Sequence, residues 1–483
     1  MTEVASRHTL YYDLLDAFQQ DGCPICRLGR LTVARYLDIL AYENVNDPGV
    51  RQKLRAARGF CNYHAYQFLD EVRDLLGIGI IYRDVVNTIV VALSEGRASG
   101  ASWPGLPSLR SGLATPGEDH ALALLLAPIG PCPACQALEE SVTDRLHVLL
   151  QHLPESDFGA ACKASAGLCY PHFLRALAEA GDVSQLTALV ASEEVFLGGV
   201  APRSGHSRPL GLVGSCFGQP GGVSHPHGWR EPFGRAPCGP ARLDRAGWDN
   251  LDPDCCPICK ATRSDLAESL EQFARRVASA EDVAAELGLL CHRHAWQLAE
   301  ARPGELVPRL ELLRTRRRAE LESAAAELLT QEGLHRGLEL PGRLTRARRL
   351  GRGLARRLQA QRPCPLCEQQ TAVESRALWS YLADGRLSPG MTEGQASGSG
   401  DRGEPALPTL CLPHLAQSCH LPLSPVERAE LVRRQAFGWN ELICELGEYI
   451  RKQDYRFRGE PRGHEQTSPR RAVEQMAGRK GIR

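Results

Sequence analysis

An all-α fold of tandem small helical modules joined by Gly/Pro-rich linkers is what the 483-residue sequence predicts. Apolar residues recur at helical spacing in segment after segment, and no run shows the two-residue alternation of a strand. One cysteine-rich pattern returns four times at regular distances. The tracts between its copies are rich in Gly, Pro and Ser, a composition that builds no core.

The pattern is a pair of half-motifs. Cys23-Pro24-Ile25-Cys26 is answered by Cys61-Asn62-Tyr63-His64, and Cys132-Pro133-Ala134-Cys135 by Cys169-Tyr170-Pro171-His172. Cys256-Pro257-Ile258-Cys259 is answered by Cys291-His292-Arg293-His294, and Cys364-Pro365-Leu366-Cys367 by Cys411-Leu412-Pro413-His414. The copies begin 109, 124 and 108 residues apart, which predicts one module per copy, made by duplication. The modules fall at 1–97, 119–198, 251–340 and 345–457. Residues 199–250 read as a low-complexity linker, 388–404 as a loop insert in the fourth module, and 458–483 as a polar, frayed tail.

Each module is justified by its apolar stripes. In the first, Tyr11, Leu14, Leu15 and Phe18 share a helical face that Asp21-Gly22 ends. Val33, Tyr36, Leu37 and Leu40 follow on the helix after Cys26, Asn46-Asp47-Pro48-Gly49 turns the chain, and further helices run from Cys61 to Leu76 and on to Leu93. The second module repeats this with Val142, Leu146, Leu149, Leu150 and Leu153. The third carries Leu266, Leu270, Phe273 and Val277, and the fourth Val373, Ala377, Leu378, Tyr381 and Leu382.

Fifty-seven basic residues balance 57 acidic ones, so no global field draws the chain to nucleic acid or membrane. The N-terminus lacks an apolar signal core. The apolar stretch Leu75–Leu93 is cut by Arg83 and Asp84, and neither it nor 121–130 gives the roughly 20 unbroken apolar residues of a span. A soluble cytoplasmic protein without membrane contact is expected. Thiols stay reduced in that compartment, so cysteine pairs read as metal ligands or redox groups.

The motif chemistry favours a metal. In C-P-x-C the proline suits the first helical position, where its missing N–H costs nothing, and both sulfurs face the positive end of the helix. In C-x-x-H the ligands lie one turn apart on one face. Two such helix starts supply three sulfurs and one imidazole, a closed tetrahedral set suited to Zn²⁺. Four zinc sites are therefore expected, each clasping its own module. An iron–sulfur cluster or a thiol–disulfide couple at CPxC are the competing readings. On the one-site-per-module reading, Cys26→Ser melts the first module and spares the others.

Within the third repeat His292 competes with His294, and register with the other copies favours His294. Cys162, Cys255, Cys419 and Cys444 read as packing or half-exposed thiols. Cys216, Cys238, His206, His225 and His227 fall in the 199–250 linker and read as parts of a solvated tract. Residues 309–357 hold 13 Arg against 6 Glu, which reads first as a solvated Glu–Arg helix and second as a phosphate-binding face. The tail from Arg451, with 10 basic against 4 acidic residues and with Tyr455 and Phe457 interleaved, is the better place for an anionic partner. No nucleophile elbow, phosphate-cradling loop, HExxH helix or paired-carboxylate pattern is present.

The succession CPIC, Asn46-Asp47-Pro48, then Arg58-Gly59-Phe60-Cys61-Asn62-Tyr63-His64 resembles a family of uncharacterised bacterial proteins with CPxC…GFCxxH repeats. Residues 449–461 resemble the closing segment of that family. The likeness is clearest over 8–95 and 360–475. Leu168, Leu290 and Leu410 replace the phenylalanine in the other copies. The resemblance implies no activity. The expected function is a zinc-binding scaffold for a protein partner, with a redox or metal-responsive regulator and an enzyme with a site between modules as alternatives.

Overall fold

The computed structural model describes residues 9–95, 118–198, 208–219, 256–333, 343–359, 362–383, 409–457 and 459–482. The insert 388–404, Cys238, Cys255, His206, His225 and His227 lie outside the described residues. The described residues form helices and turns and no strand, as the apolar spacing predicts.

Every CPxC opens a long helix with its proline in the first turn: α2 (Pro24–Ile39), α7 (Pro133–His152), α12 (Pro257–Ser279) and α17 (Pro365–Ala383). In chain order α1 (Thr9–Phe18) precedes α2, and α3 (Pro48–Ala56), α4 (Asn62–Gln67), α5 (Leu75–Glu95) and α6 (Glu118–Leu126) come before α7. Then come α8 (Ser156–Lys163), α9 (Tyr170–Glu179), α10 (Val183–Leu197) and α11 (Arg208–Phe217), which precede α12. After it lie α13 (Val283–Gly288), α14 (His292–Ala301), α15 (Pro303–Gly333) and α16 (Arg343–Leu358). Finally α18 (Leu412–Ser418), α19 (Pro425–Arg451) and α20 (Ser468–Ala477) follow α17. In the copies the plan is constant: a long CPxC helix, a short helix where described, a short CxxH helix (α4, α9, α14, α18) and a return helix (α5, α10, α15, α19).

The predicted stripes are the core. Tyr11, Leu14, Phe18, Val33, Leu37, Leu40, Val142, Leu146, Leu149, Phe273, Val277, Leu378 and Leu382 are all buried. Asp47 caps α3 by accepting the Val50 N–H at 2.7 Å, which explains the Asn-Asp-Pro turn. The helix expected from Cys61 to Leu76 breaks earlier, through a π-helical turn at Phe68–Val72 and a left-handed Arg73.

Two compact units share the chain. The first takes residues 1–35, 136–225 and 267–369; the second takes 36–135, 226–266 and 370–483. Four of these divisions fall inside α2, α7, α12 and α17. In the first unit Tyr11 and Phe18 of α1 stack on Phe158 of α8 at 5.0 and 5.2 Å, α9 packs on α16, and α10 and α11 pack on α15. In the second unit α5 is the hub, contacting α3, α19 and α20. Leu75–Ser94 has the length and mean hydropathy (1.7) of a membrane span, and 56% of that window is buried inside the protein. Its Asp84 is paired with Arg55 at 2.7 Å.

Two stretches differ from expectation. Residues 208–217, inside the 199–250 linker, form α11, whose Val213, Cys216 and Phe217 are buried against α14 and α15. The tail 458–483 contains α20, which buries Ala472, Val473, Met476 and Ala477. In both helices packing against neighbours distant in sequence overrides the composition of the tracts around them.

Candidate metal centres

Each CxxH cysteine sits at the N-cap of its helix in extended backbone, for example Cys61 at φ −62° and ψ 165°, with no capping hydrogen bond to occupy its sulfur. The histidine three residues on therefore points the same way, one turn into the helix. The CPxC sulfurs are placed by the starts of α2, α7, α12 and α17.

The sixteen residues expected as ligands gather into four groups of three sulfurs and one imidazole, all ligand atoms of a group lying within 4.8 Å of one another. The grouping is reciprocal rather than within a copy. In the first unit Cys23 and Cys26 meet Cys169 and His172, and Cys291 and His294 meet Cys364 and Cys367. In the second unit Cys61 and His64 meet Cys132 and Cys135, and Cys256 and Cys259 meet Cys411 and His414. The expectation that every copy closes its own clasp is thus corrected. Helix length is the reason. From Cys26 the remaining 13 residues of α2 carry the chain about 20 Å, and the 9 residues of α3 span only about 14 Å.

The four groups are alike in detail. His172 Nδ1 is 3.5, 3.4 and 3.1 Å from the sulfurs of Cys23, Cys26 and Cys169. His64 Nδ1 is 3.3, 3.7 and 3.3 Å from those of Cys61, Cys132 and Cys135. His414 Nδ1 lies 3.4, 3.5 and 3.1 Å from Cys256, Cys259 and Cys411. His294 Nδ1 lies 3.3, 3.5 and 3.3 Å from Cys291, Cys364 and Cys367. Sulfur–sulfur contacts of 3.5 to 3.7 Å are far longer than the roughly 2.05 Å of a disulfide. A metal ion could be held in each group. His294 is the histidine that joins its group, and His292 Nδ1 instead bonds the Phe217 carbonyl at 2.7 Å.

Burial separates the groups into two kinds. All four ligands are buried in the Cys23 and Cys256 groups, whereas Cys61, Cys132, Cys135, Cys291 and Cys367 are half-exposed. Each unit contains one group of each kind.

Electrostatics shows what these centres demand. Burial alone would raise the Cys132 thiol, yet hydrogen bonds from Cys135, Cys61 and His64 hold it well below the usual thiol range. Bonds to Cys132 and Cys61 push Cys135 up, and the Cys61 charge carries His64 against its burial to about 10. Cys23, Cys256 and Cys364 are depressed in the same way, Cys26, Cys259 and Cys367 are raised, and His414 reaches about 10. In the Cys61 and Cys256 groups one thiol is thus pulled down while the histidine beside it is raised.

Around these ligands lies a second layer that the sequence reading missed. The Gln219 N–H donates to Cys26 Sγ at 3.4 Å, and the Arg479 N–H donates to Cys259 Sγ at 3.5 Å. Both follow a left-handed glycine at a helix end, Gly218 after α11 and Gly478 after α20. The same two ends are gripped by the half-exposed groups. His292 bonds Phe217 O, and Trp296 Nε1 donates to Gly218 O at 2.8 Å. Asn62 Nδ2 donates to the carbonyls of Ala477 and Arg479 at 2.9 Å, and the Tyr66 hydroxyl donates to Gly478 O at 3.2 Å. Residues one and five after the CxxH cysteine do this in copies one and three. In copy four the residue before the CxxH cysteine is held as well: Gln435 pairs with both backbone groups of Leu410, at 3.0 and 2.9 Å.

A sequence signal for this existed. Copies two and four carry proline before the histidine (Pro171, Pro413), and copies one and three do not. The spacing of 233 residues from Cys23 to Cys256 and 232 from Cys132 to Cys364 marks a repeat two copies long. Of the remaining thiols, Cys162, Cys216 and Cys419 are buried and Cys444 is exposed.

Among known proteins, an uncharacterised 23.9 kDa protein in the xynA 3′ region of Caldicellulosiruptor sp. (strain Rt8B.4) is 32% identical over 75 residues. Those residues are 16% of this chain and 36% of the relative, so the chain spans about a third of the relative's length. No solved structure matches. The stretch that closes the Cys23 and Cys61 groups, residues 8–191, matches the model of a family of unknown function (DUF6062).

Proposed function

We propose that each of the four groups binds one zinc ion in a closed Cys₃His set. The chain then acts as a zinc-clasped scaffold, presenting helical surfaces to a protein partner in a reducing, cytoplasmic setting. One observation carries the reading: three sulfurs and one imidazole nitrogen lie within 4.8 Å of one another, four times over. Zinc–sulfur bonds of about 2.3 Å and zinc–nitrogen bonds of about 2.0–2.1 Å give tetrahedral edges of roughly 3.5–3.8 Å. The Nδ1–Sγ contacts of 3.1 to 3.7 Å are close to that. An iron–sulfur cluster spreads its ligands over more than one iron, so ligand atoms this close together favour a single ion. A filled set also leaves no position for substrate, which favours a structural role.

Metal analysis by mass spectrometry, on protein purified under reducing conditions, should give four zinc per chain. A folded protein free of metal would refute the proposal. The half-exposed cysteines of the Cys61 and Cys291 groups support a second reading, a thiol switch in which peroxide oxidises paired thiolates to a disulfide and expels zinc. Zinc retained under mild peroxide would leave the scaffold reading alone.

A further inference from the structure

With no net charge on the chain, a binding field for anions has to come from one face. Three Arg-rich stretches offer themselves, and two are neutralised. On α15, Arg316 pairs with Glu320 and Asp282, and Arg318 pairs with Glu322. Arg317 is buried, stacked 3.8 Å over Tyr170 and donating to Cys216 O. In the tail, Arg451 pairs with Glu448 and Glu460, Lys452 with Glu465, Arg456 with Asp454, and Arg471 with Glu445.

The third stretch, α16, is different. Its 16 residues contain seven arginines and no acid. Ala347, Gly351, Leu354 and Leu358 are buried against α9. Gly351 lies so close that a Cβ there would overlap the Leu177 carbonyl, and the Tyr170 hydroxyl holds the helix end through Leu358 O at 2.6 Å. This docking fixes which side faces out. Arg348, Arg349, Arg352 and Arg356 are exposed, within an arc of about 100° and over about 12 Å of helix. No ion pair neutralises Arg348, Arg349 or Arg352 among the described residues. On α9, Glu179 is taken by Arg175 at 2.7 Å.

We propose that this face of α16 binds the phosphate backbone of duplex nucleic acid without reading bases. Guanidinium forks fit phosphate oxygens in pairs. The apolar stripe of α16 is already spent on α9, so the helix has no face to insert into a lipid surface. α16 itself carries no aromatic side chain to stack on an unpaired base, which disfavours single strands.

Fluorescence anisotropy of the full chain with labelled duplexes of about 20 base pairs, DNA and RNA, tests this between about 50 and 200 mM salt. R348Q/R349Q/R352Q should weaken binding at least tenfold at low salt and lower the slope of log affinity on log salt by about 2–3. R348K/R349K/R352K should retain most of the binding. A tail variant, R470Q/K480Q, should bind like the unaltered chain. Metal content and helicity of all variants should be unchanged, because these side chains are exposed. Failure to bind either duplex at low salt overturns the proposal. So does unaltered binding by the glutamine variant, or tighter binding to phosphatidylserine vesicles than to duplex.

Discussion

Cys26 shares its centre with Cys169 and His172, so its removal strikes two copies at once. Cys26→Ser should lower zinc from four ions to three and loosen copies one and two together, by several of the roughly 10–16 kcal/mol that such a site contributes to folding. Hydrogen exchange confined to copy one would contradict the reciprocal pairing. The burial difference is equally testable. Zinc release to a chromogenic chelator should be biphasic, two ions fast from the Cys61 and Cys291 groups and two slow from the fully buried pair. Four equal rates would deny the distinction. Asn62, buried and bonded to Ala477, Gly478, Arg479 and Gly481, should cost about 1–3 kcal/mol as Asn62→Leu, read by urea unfolding and by faster proteolysis at the C-terminus. At this scale the sixteen cysteines and histidines that gather into groups could be picked out by their spacing, because thiol and imidazole spacing is a chemical signature. Their partners could not, because residue type says nothing about which half-motif a helix can reach.

The helices that begin at the motifs were equally legible, since cysteine, proline and apolar period agree there on one answer. α11 and α20 were not. Each buries a few side chains against elements far away in the chain, and its Gly, Pro and Arg content argues locally for loop. Helix length, read arithmetically, contained the pairing rule. In copies two and three the 20 residues of α7 and 23 of α12 outrun the 8 of α8 and 6 of α13 by about 18 and 26 Å. The α9–α16 crossing should be the most sensitive contact between elements. Gly351→Val must force α16 off the Leu177 carbonyl and should destabilise the first unit by about 1–3 kcal/mol or more, seen in its denaturant midpoint. A neutral result would mean that α16 is not seated as described.

For the whole molecule the working repeat is two copies, not one. Both groups of copies one and two close within residues 23–172, and both groups of copies three and four within 256–414. The relative's 75 matched residues are 36% of it, which makes it about 210 residues, less than half of the 483 here. Yet each unit draws on both halves of the chain: α9, α10 and α11 pack on α15 and α16 in the first, and α5 packs on α19 and α20 in the second. Residues 1–225 and 226–483 expressed together as separate chains should co-purify one to one and hold four zinc ions. Halves that elute apart would show that the packing between them is weak.

Reciprocal pairing also sets a timetable for synthesis. The Cys61 group nests inside the Cys23 group, so the inner centre is complete once Cys135 emerges, and the outer one must wait for His172. Cys26 precedes Cys169 by 143 residues, which at about 5–20 residues per second is roughly 7–30 s of translation. For that interval Cys23 and Cys26 wait for Cys169 and His172, and the second half repeats the delay with Cys256 and Cys259. The more exposed centres are the ones born first, and the buried ones lock last over a chain already half assembled.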